Sequence, residues 1–199
     1  MTIQINSNIL GIDIGSVSVS IVEMNLNREV VKTAYEFHHG NIIETLKKIL
    51  NDFDLSGICG IASTSSTPSL IKVSSQYDNR ISIITAARHF HEKIGAILIV
   101  GGERFGLITF DENCNYRNFK SNSSCAAGTG SFLDQQARRL NLSGIEELSR
   151  IAFNNKGIIP KIATRCAVFA KTDLAHAQQE GYSLEEICDG LCYGLATNI

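Results

Sequence analysis

Hydrophobic residues follow a strand-like pattern through the first part of the chain. They fill positions 9–14, alternate with polar residues over 17–22 and recur over 30–37, with a polar turn at 25–29. Short β-branched runs joined by short polar turns predict neighbouring antiparallel strands. At 41–52 the apolar spacing changes to three and four residues, so we expect a helix after the third strand.

Further strands follow the first helix, and the last part of the chain has only helical patterns. We expect a short strand at 57–62, a Ser/Thr-rich loop at 63–69 and a helix at 81–93. Three strands are expected to follow, at 96–100, 106–110 and 115–119. The later patterns are all helical, at 131–140, 145–153, 167–179 and 184–196, while 70–79 has no assignable pattern. Gly181, then Ser183 with Glu186 three residues on, predicts a helix end and a capping box. The order indicates an α/β architecture, with subdomains over 1–95 and 96–199.

Composition and charge exclude several classes of partner. The 199 residues have a formal net charge of -2 and are 44% hydrophobic, which favours neither nucleic acid nor an anionic membrane surface as a partner. No apolar run has membrane-spanning length and the N-terminus lacks a signal-peptide pattern, so we expect a cytoplasmic protein. In that compartment the six cysteines are expected to be core thiols, metal ligands or redox groups.

The first candidate for chemistry lies where the first strand ends. Asp13 stands at the end of this strand and is followed by a tight turn at Gly15 and Ser16; Val17, the first residue of the next predicted strand, is the last of the candidate binding residues. An Asp at a strand end can hold hydrated Mg²⁺, and a Gly-Ser turn offers backbone N–H groups and a hydroxyl to phosphates. An ordinary hairpin with an exposed acid is the competing interpretation, because short glycine motifs occur widely.

A second turn of the same kind follows the strand at 96–100. It contains Gly101 and Gly102, and then the charged pair Glu103 and Arg104. It could face a second phosphate group, and a hairpin loop with solvated charges is the alternative.

Two cysteines stand in front of helices. Cys125 precedes a glycine-punctuated stretch that runs into 131–140, and Cys166 precedes 167–179. The positive end of a helix dipole favours a thiolate, which is the form that binds metals. Two thiols are half of a tetrahedral or four-cysteine site, so two further ligands would come from this chain or from a symmetric partner. The alternative is a pair of buried thiols at helix starts.

The remaining cysteines and histidines are expected to be structural. Cys188 and Cys192 lie four residues apart among leucines on the last helix, which indicates core packing. The histidines have no partner pattern and are interpreted as surface or satisfied core residues; they include His38, His39, His89 and His91.

Three stretches taken together resemble a known family. They are LGIDIGSVSVSIV, NSSCAAGTGSFLDQQARRLNL and IATRCAVFAKTDLAHAQQEGYSLEEICDGLCYGLATNI. They resemble the ATP-dependent activators of 2-hydroxyacyl-CoA dehydratases, which are related to the ATPase subunits of benzoyl-CoA reductases (the BadF/BadG/BcrA/BcrD family). The resemblance spans essentially the whole chain and implies an actin-like, hexokinase-like ATPase fold of the ribonuclease-H-like type.

The resemblance also implies a set of cofactors and partners. It implies ATP with Mg²⁺, and a 4Fe–4S cluster shared across a homodimer or with a second ATPase module, with Cys125 and Cys166 as this chain's ligands. ATP hydrolysis would drive electron transfer to a dehydratase or reductase component. The first phosphate and Mg²⁺ motif would contain Asp13 with the turn after it, and the second would contain Gly101 and Gly102.

The chain differs from the family pattern in two respects. Ile99 stands where the family usually has an Asp, and Glu103 and Arg104 stand where it has a Gln-Asp pair; Glu103 is the candidate to compensate in catalysis. The chain also ends before the family's later adenosine-binding turn, so we interpret it as a truncated module, similar to those of very large two-module proteins. A degenerate, non-hydrolysing binding module and a small-molecule kinase of the same superfamily are the alternatives.

Overall fold

A five-stranded sheet forms the base of the first unit of the chain, Met1–Glu92. Its strands are β1 (Asn8–Ile14), β2 (Ser18–Asn25), β3 (Val30–Phe37), β4 (Ile58–Thr64) and β5 (Ser75–Tyr77), in the order β3-β2-β1-β4-β5. The structure is a computed structural model that describes residues 7–102, 104–121, 130–163 and 166–198. The second unit is Lys93–Ile199.

The chain direction within this sheet decides where the strand ends meet. As the sequence predicts, β1, β2 and β3 are antiparallel neighbours. Helix α1 (Ile42–Leu50) then carries the chain across to β4, which runs parallel to β1. Parallel strands have their carboxyl ends at the same edge of a sheet, so the residues that follow β1 and β4 lie beside each other.

One face of the sheet carries the core of this unit. Side chains alternate between the two faces of a strand, and Leu10, Ile12 and Ile14 all point to the face that packs against Leu46 and Ile49 of α1. The opposite face forms an open groove of about 530 Å³, lined by small and polar residues such as Gly11, Ser20, Thr33 and Asp13 together with the larger Tyr35 and Tyr77.

Several boundaries in this unit differ from the sequence prediction. The predicted loop at 63–69 begins inside β4, which continues to Thr64, and the unassigned segment contains the three-residue strand β5, which is too short to show a period. Helix α2 (Asn79–Phe90) starts two residues earlier than predicted, because the Asp78 carboxylate caps it by accepting hydrogen bonds from Arg80 and Ile81 N–H.

The second unit combines a three-stranded antiparallel sheet with four helices. The strands are β6 (Ala96–Val100), β7 (Phe105–Phe110) and β8 (Tyr116–Ser121), in that order. The helices are α3 (Gly130–Arg139), α4 (Ile145–Phe153), α5 (Ala167–Gln179) and α6 (Leu184–Asn198). Their apolar faces form one core, which includes Leu148, Leu174 and Leu191. Within the described parts of the chain, no helix is long and apolar enough to cross a membrane.

The junction between α5 and α6 has the predicted capping residues. Gly181 ends the first helix with φ +86°, a conformation that glycine adopts without strain. Ser183 and Glu186 then form the reciprocal pair of a capping box: Ser183 N–H donates to the Glu186 carboxylate at 2.8 Å, and Glu186 N–H donates to Ser183 Oγ at 3.2 Å. The hydrogen bond from Ser183 and a second one from Ile158 N–H lower the pKa of Glu186.

Candidate functional site

The turn between β1 and β2 is closed by its glycine. Gly15 N–H donates to Ser18 O at 2.9 Å, so β2 begins at Ser18 and Val17 belongs to the turn rather than to the predicted strand. Ser16 is exposed, and neither Ser16 N–H nor Val17 N–H has a hydrogen-bond partner within the described residues. Two adjacent free N–H groups in a tight turn are a suitable site for a phosphate oxygen.

Asp13 is held at the mouth of this turn by two hydroxyl groups from the end of β4. Thr64 Oγ1 donates to Asp13 Oδ1 at 2.5 Å and Ser66 Oγ donates to the same oxygen at 2.8 Å. Oδ2 makes no hydrogen bond in the described part of the chain. The carboxylate is therefore fixed through one oxygen, while the other remains available to a cation or to its water ligands.

Thr67 connects the same loop to the backbone of β1. Its side chain is 4% exposed, and its Oγ1 accepts from Ile14 N–H at 3.1 Å and lies 3.3 Å from Ile12 O. Thr64 Oγ1 lies 3.1 Å from Thr67 Oγ1, so the hydroxyls that position Asp13 are themselves tied to the strand that carries it.

The sequence pattern does not reveal this hydroxyl cluster. It indicates only a Ser/Thr-rich loop at 63–69, because hydroxyl-rich loops are common and nothing in the spacing relates Thr64 to Asp13, 51 residues earlier. The parallel pairing of β1 with β4 supplies that relation. A dense run of hydroxyls directly after a strand predicted to pair in parallel is the signal that could have indicated it.

The second turn is closed by the same type of backbone hydrogen bond as the first. Gly101 N–H donates to Arg104 O at 2.7 Å. Val100 pairs with Phe105 across this turn, as Ile14 pairs with Val19 across the first. Gly102 O accepts from Ser131 N–H at 3.0 Å. The second turn is therefore hydrogen-bonded to the first helical turn of α3.

The predicted site residues fall into separate groups. Asp13 and its turn belong to the first unit, whereas Gly101, Gly102 and Cys166 belong to the second. Glu103, the catalytic candidate, and Cys125, the metal-ligand candidate, lie outside the described residues.

Cys166 lies where the sequence predicts it, directly before α5. It is a half-buried free thiol, and its carbonyl accepts the helical hydrogen bond from Ala170 N–H at 2.9 Å. The preceding segment is anchored to the same helix, since Ala163 N–H donates to Asp173 Oδ2 at 2.8 Å. The thiol is thus near the positive end of a helix dipole, which suits an anionic ligand. Among the described residues, no group of three or more His, Cys, Asp or Glu is arranged to hold a metal ion.

Cys188 and Cys192 are packed in the core of the helical region. Cys188 is fully buried, and burial raises its pKa to about 11; burial also raises the pKa of Cys192. Both thiols are therefore kept protonated at neutral pH, which agrees with the structural role that their spacing indicates.

Solved structures with the same arrangement of strands and helices define the class of fold. The activator of 2-hydroxyisocaproyl-CoA dehydratase from Clostridium difficile with bound ADPNP superposes with a TM-score of 0.82 at 22% identity, covering 96% of this chain and 72% of that one. Component A of (R)-2-hydroxyglutaryl-CoA dehydratase from Acidaminococcus fermentans also gives 0.82 at 22% identity, covering 96% and 75%. The fold is the actin-like, hexokinase-like ATPase fold.

Sequence comparison identifies the family. The model of the BadF/BadG/BcrA/BcrD ATPase family matches residues 10–199, and the chain belongs to this family. The 2-hydroxyisocaproyl-CoA dehydratase activator of Clostridioides difficile is 31% identical over 103 residues, which are 52% of this chain and 38% of that protein. The activator of lactoyl-CoA dehydratase from Anaerotignum propionicum is 30% identical over 101 residues, 51% of this chain and 38% of that protein. The matches thus cover little more than a third of the length of these two curated relatives.

The hydroxyl cluster gives a first testable prediction. Replacing Thr64 with Val, or Ser66 with Ala, removes one donor to the Asp13 carboxylate, and each change should raise the Mg²⁺ concentration needed for nucleotide binding ~10-fold, the equivalent of a hydrogen bond to a charged group. The measurement is nucleotide affinity as a function of Mg²⁺. Thr64→Ser should preserve the donor.

Ser65 offers a matched control. Its hydroxyl donates to Asn79 Oδ1 at 2.8 Å rather than to Asp13, so Ser65→Ala should leave the Mg²⁺ dependence unchanged. An equal Mg²⁺ requirement in Thr64→Val, Ser66→Ala and the unsubstituted chain would contradict the assigned role.

Proposed function

We propose that this chain is the phosphate-binding and cluster-ligating part of an ATP-driven iron–sulfur activator. It would bind ATP with Mg²⁺, contribute two cysteines to a shared 4Fe–4S cluster and pass one electron to a 2-hydroxyacyl-CoA dehydratase or a related reductase. The observation that carries this proposal is the fixed Asp13 carboxylate beside the two free N–H groups of the first turn. Family membership and the names of the relatives support it.

The first turn is suited to the phosphate end of a nucleotide. Ser16 and Val17 offer N–H groups to phosphate oxygens, and Oδ2 of Asp13 is free to hold a hydrated cation. The carboxylate of a strand end with one free oxygen fits Mg²⁺, which keeps several water ligands. Bound Mg²⁺ would neutralise charge on the phosphates. ADPNP bound to a protein with the same fold is consistent with this assignment.

The second turn would pass the state of the nucleotide to the cysteine-bearing region. Gly102 O is hydrogen-bonded to Ser131 N–H at the start of α3, and the segment with Cys125 immediately precedes that helix. A displacement of this turn on phosphate binding or release would therefore move the first residues of α3. The hydrogen bond between Gly102 O and Ser131 N–H is therefore the contact through which this chain would couple the second turn to α3.

The thiols fit a shared cluster better than a self-contained one. Cys166 is half-buried, free and placed at a helix N-terminus, which favours an anionic cluster. A cluster with four thiolate ligands needs two from elsewhere when one chain supplies Cys125 and Cys166. A two-fold axis in a homodimer would supply them, as would a second module of a longer chain. Such a cluster would provide the one-electron carrier.

The second turn favours one alternative function. Ile99 is an apolar residue within β6, at a position where the resemblance implies an Asp, and Arg104 places an exposed cation at the closing residue of the turn. Both features would weaken Mg²⁺ and water binding at this turn. A module that binds nucleotide without hydrolysing it is therefore the competing proposal.

ATP hydrolysis separates the two proposals. The full chain should hydrolyse ATP, and Asp13→Ala should reduce the rate ~100-fold, because it removes the carboxylate that holds the metal ion. Release of phosphate is the measurement. A rate that Asp13→Ala leaves unchanged would exclude catalysis at this turn, and nucleotide binding without turnover would favour the non-hydrolysing module.

Iron content tests the role of the cysteines. Purified without oxygen, the protein should be brown and hold about two iron atoms per copy of this module, half of a four-iron cluster. Cys125→Ser and Cys166→Ser should each remove the iron and the visible absorbance, whereas Cys59→Ser, which changes an exposed free thiol, should not. A colourless, iron-free protein would contradict the cluster.

A further inference from the structure

His38 is a buried histidine in contact with the phosphate-binding turn. Its side chain is 6% exposed, and its ring Nε2 lies 3.2 Å from the carbonyl oxygen of Gly15. Its backbone N–H donates to Val17 O at 3.1 Å. One residue thus holds the backbone of the turn on both sides of Ser16.

The neighbouring backbone fixes the tautomer of this ring. Gly40 N–H donates to His38 Nδ1 at 3.0 Å, so Nδ1 carries no proton. In a neutral imidazole the proton is then on Nε2, which donates to Gly15 O, a group that can only accept. The two contacts require the same protonation state. They are possible because His39 and Gly40 both have positive φ, 46° and 87°, and turn the chain back onto the ring.

The bond to Gly15 O determines where the next N–H group points. Gly15 C=O and Ser16 N–H belong to one planar trans peptide group and point in opposite directions. Gly15 has no side chain to oppose rotation of this peptide. The bond from His38 Nε2–H holds the Gly15 carbonyl toward the imidazole ring. Ser16 N–H therefore points away from the imidazole ring.

We infer that His38 is a positioning residue for nucleotide phosphates: its Nε2–H holds the Gly15–Ser16 peptide in the orientation that presents Ser16 N–H to a phosphate oxygen. This inference rests on the proposed nucleotide binding by the first turn. It assigns a role to a histidine that the sequence offers only as a surface or satisfied core residue.

Two substitutions separate the two hydrogen bonds of the ring. His38→Gln places an amide N–H near the position of Nε2 and can still donate to Gly15 O. His38→Asn places an amide oxygen near the position of Nδ1 and can accept from Gly40 N–H, but it is too short to reach Gly15 O. His39→Asn is the control, since His39 is the exposed neighbour whose positive φ asparagine tolerates.

The full chain should bind Mg–ATP ~5-fold more weakly in the His38→Asn variant, the equivalent of one neutral hydrogen bond, and His38→Gln should recover most of the affinity. The carbonyl ¹³C chemical shift of Gly15, which reports whether its oxygen accepts a hydrogen bond, should change in His38→Asn without nucleotide and stay close to the unsubstituted value in His38→Gln, at equal melting temperatures.

The outcomes distinguish this inference from the function on which it rests. Failure of the unsubstituted chain to bind Mg–ATP would contradict the proposed function. Nucleotide affinity in His38→Asn equal to that of the unsubstituted chain, or equal losses in the Asn and Gln variants, would overturn the inference alone. An unchanged Gly15 carbonyl shift in His38→Asn would overturn it whatever the nucleotide result.

Discussion

The parallel pairing of β1 with β4 is the constraint on which the candidate site depends. It brings the end of β4 beside the end of β1, although about 50 residues separate them in the chain. As a result, Asp13 is met by hydroxyls rather than by water alone, and one carboxylate oxygen is fixed while the other is free. Helix α1 makes this pairing possible, because it carries the chain across the sheet and covers the apolar face beneath the site.

The two glycine turns have the same backbone hydrogen-bond pattern in different surroundings. In each, the first glycine donates to the carbonyl three residues later, and paired residues of two antiparallel strands flank the turn. Their surroundings differ: the first turn is supported by hydroxyls and by His38, and the second by the start of α3. The first arrangement suits the binding of phosphate and a cation, whereas the second connects a turn to the helical region that carries the cysteines.

Much of the fold could be predicted from local pattern, and much of the site could not. Alternation in β1 to β3, the spacing of the helices and the capping box of Ser183 and Glu186 are local properties, and the structure confirms them. Asp13 and its turn were recognisable as an acid and glycines at a strand end. The support from Thr64 and His38 was not, because it depends on strand order and on a buried ring whose partners are backbone atoms. The strand β5 was missed because three residues have no measurable period.

The most direct test of nucleotide binding at the first turn is the equilibrium binding of Mg–ADPNP to the full chain by titration calorimetry. We expect one site per chain, with an affinity that Asp13→Asn lowers at least ~10-fold, because the substitution removes the charge that we propose holds a cation beside the phosphates. Absence of binding to the unsubstituted chain, or equal affinity in the Asp13→Asn variant, would contradict the assignment of this turn.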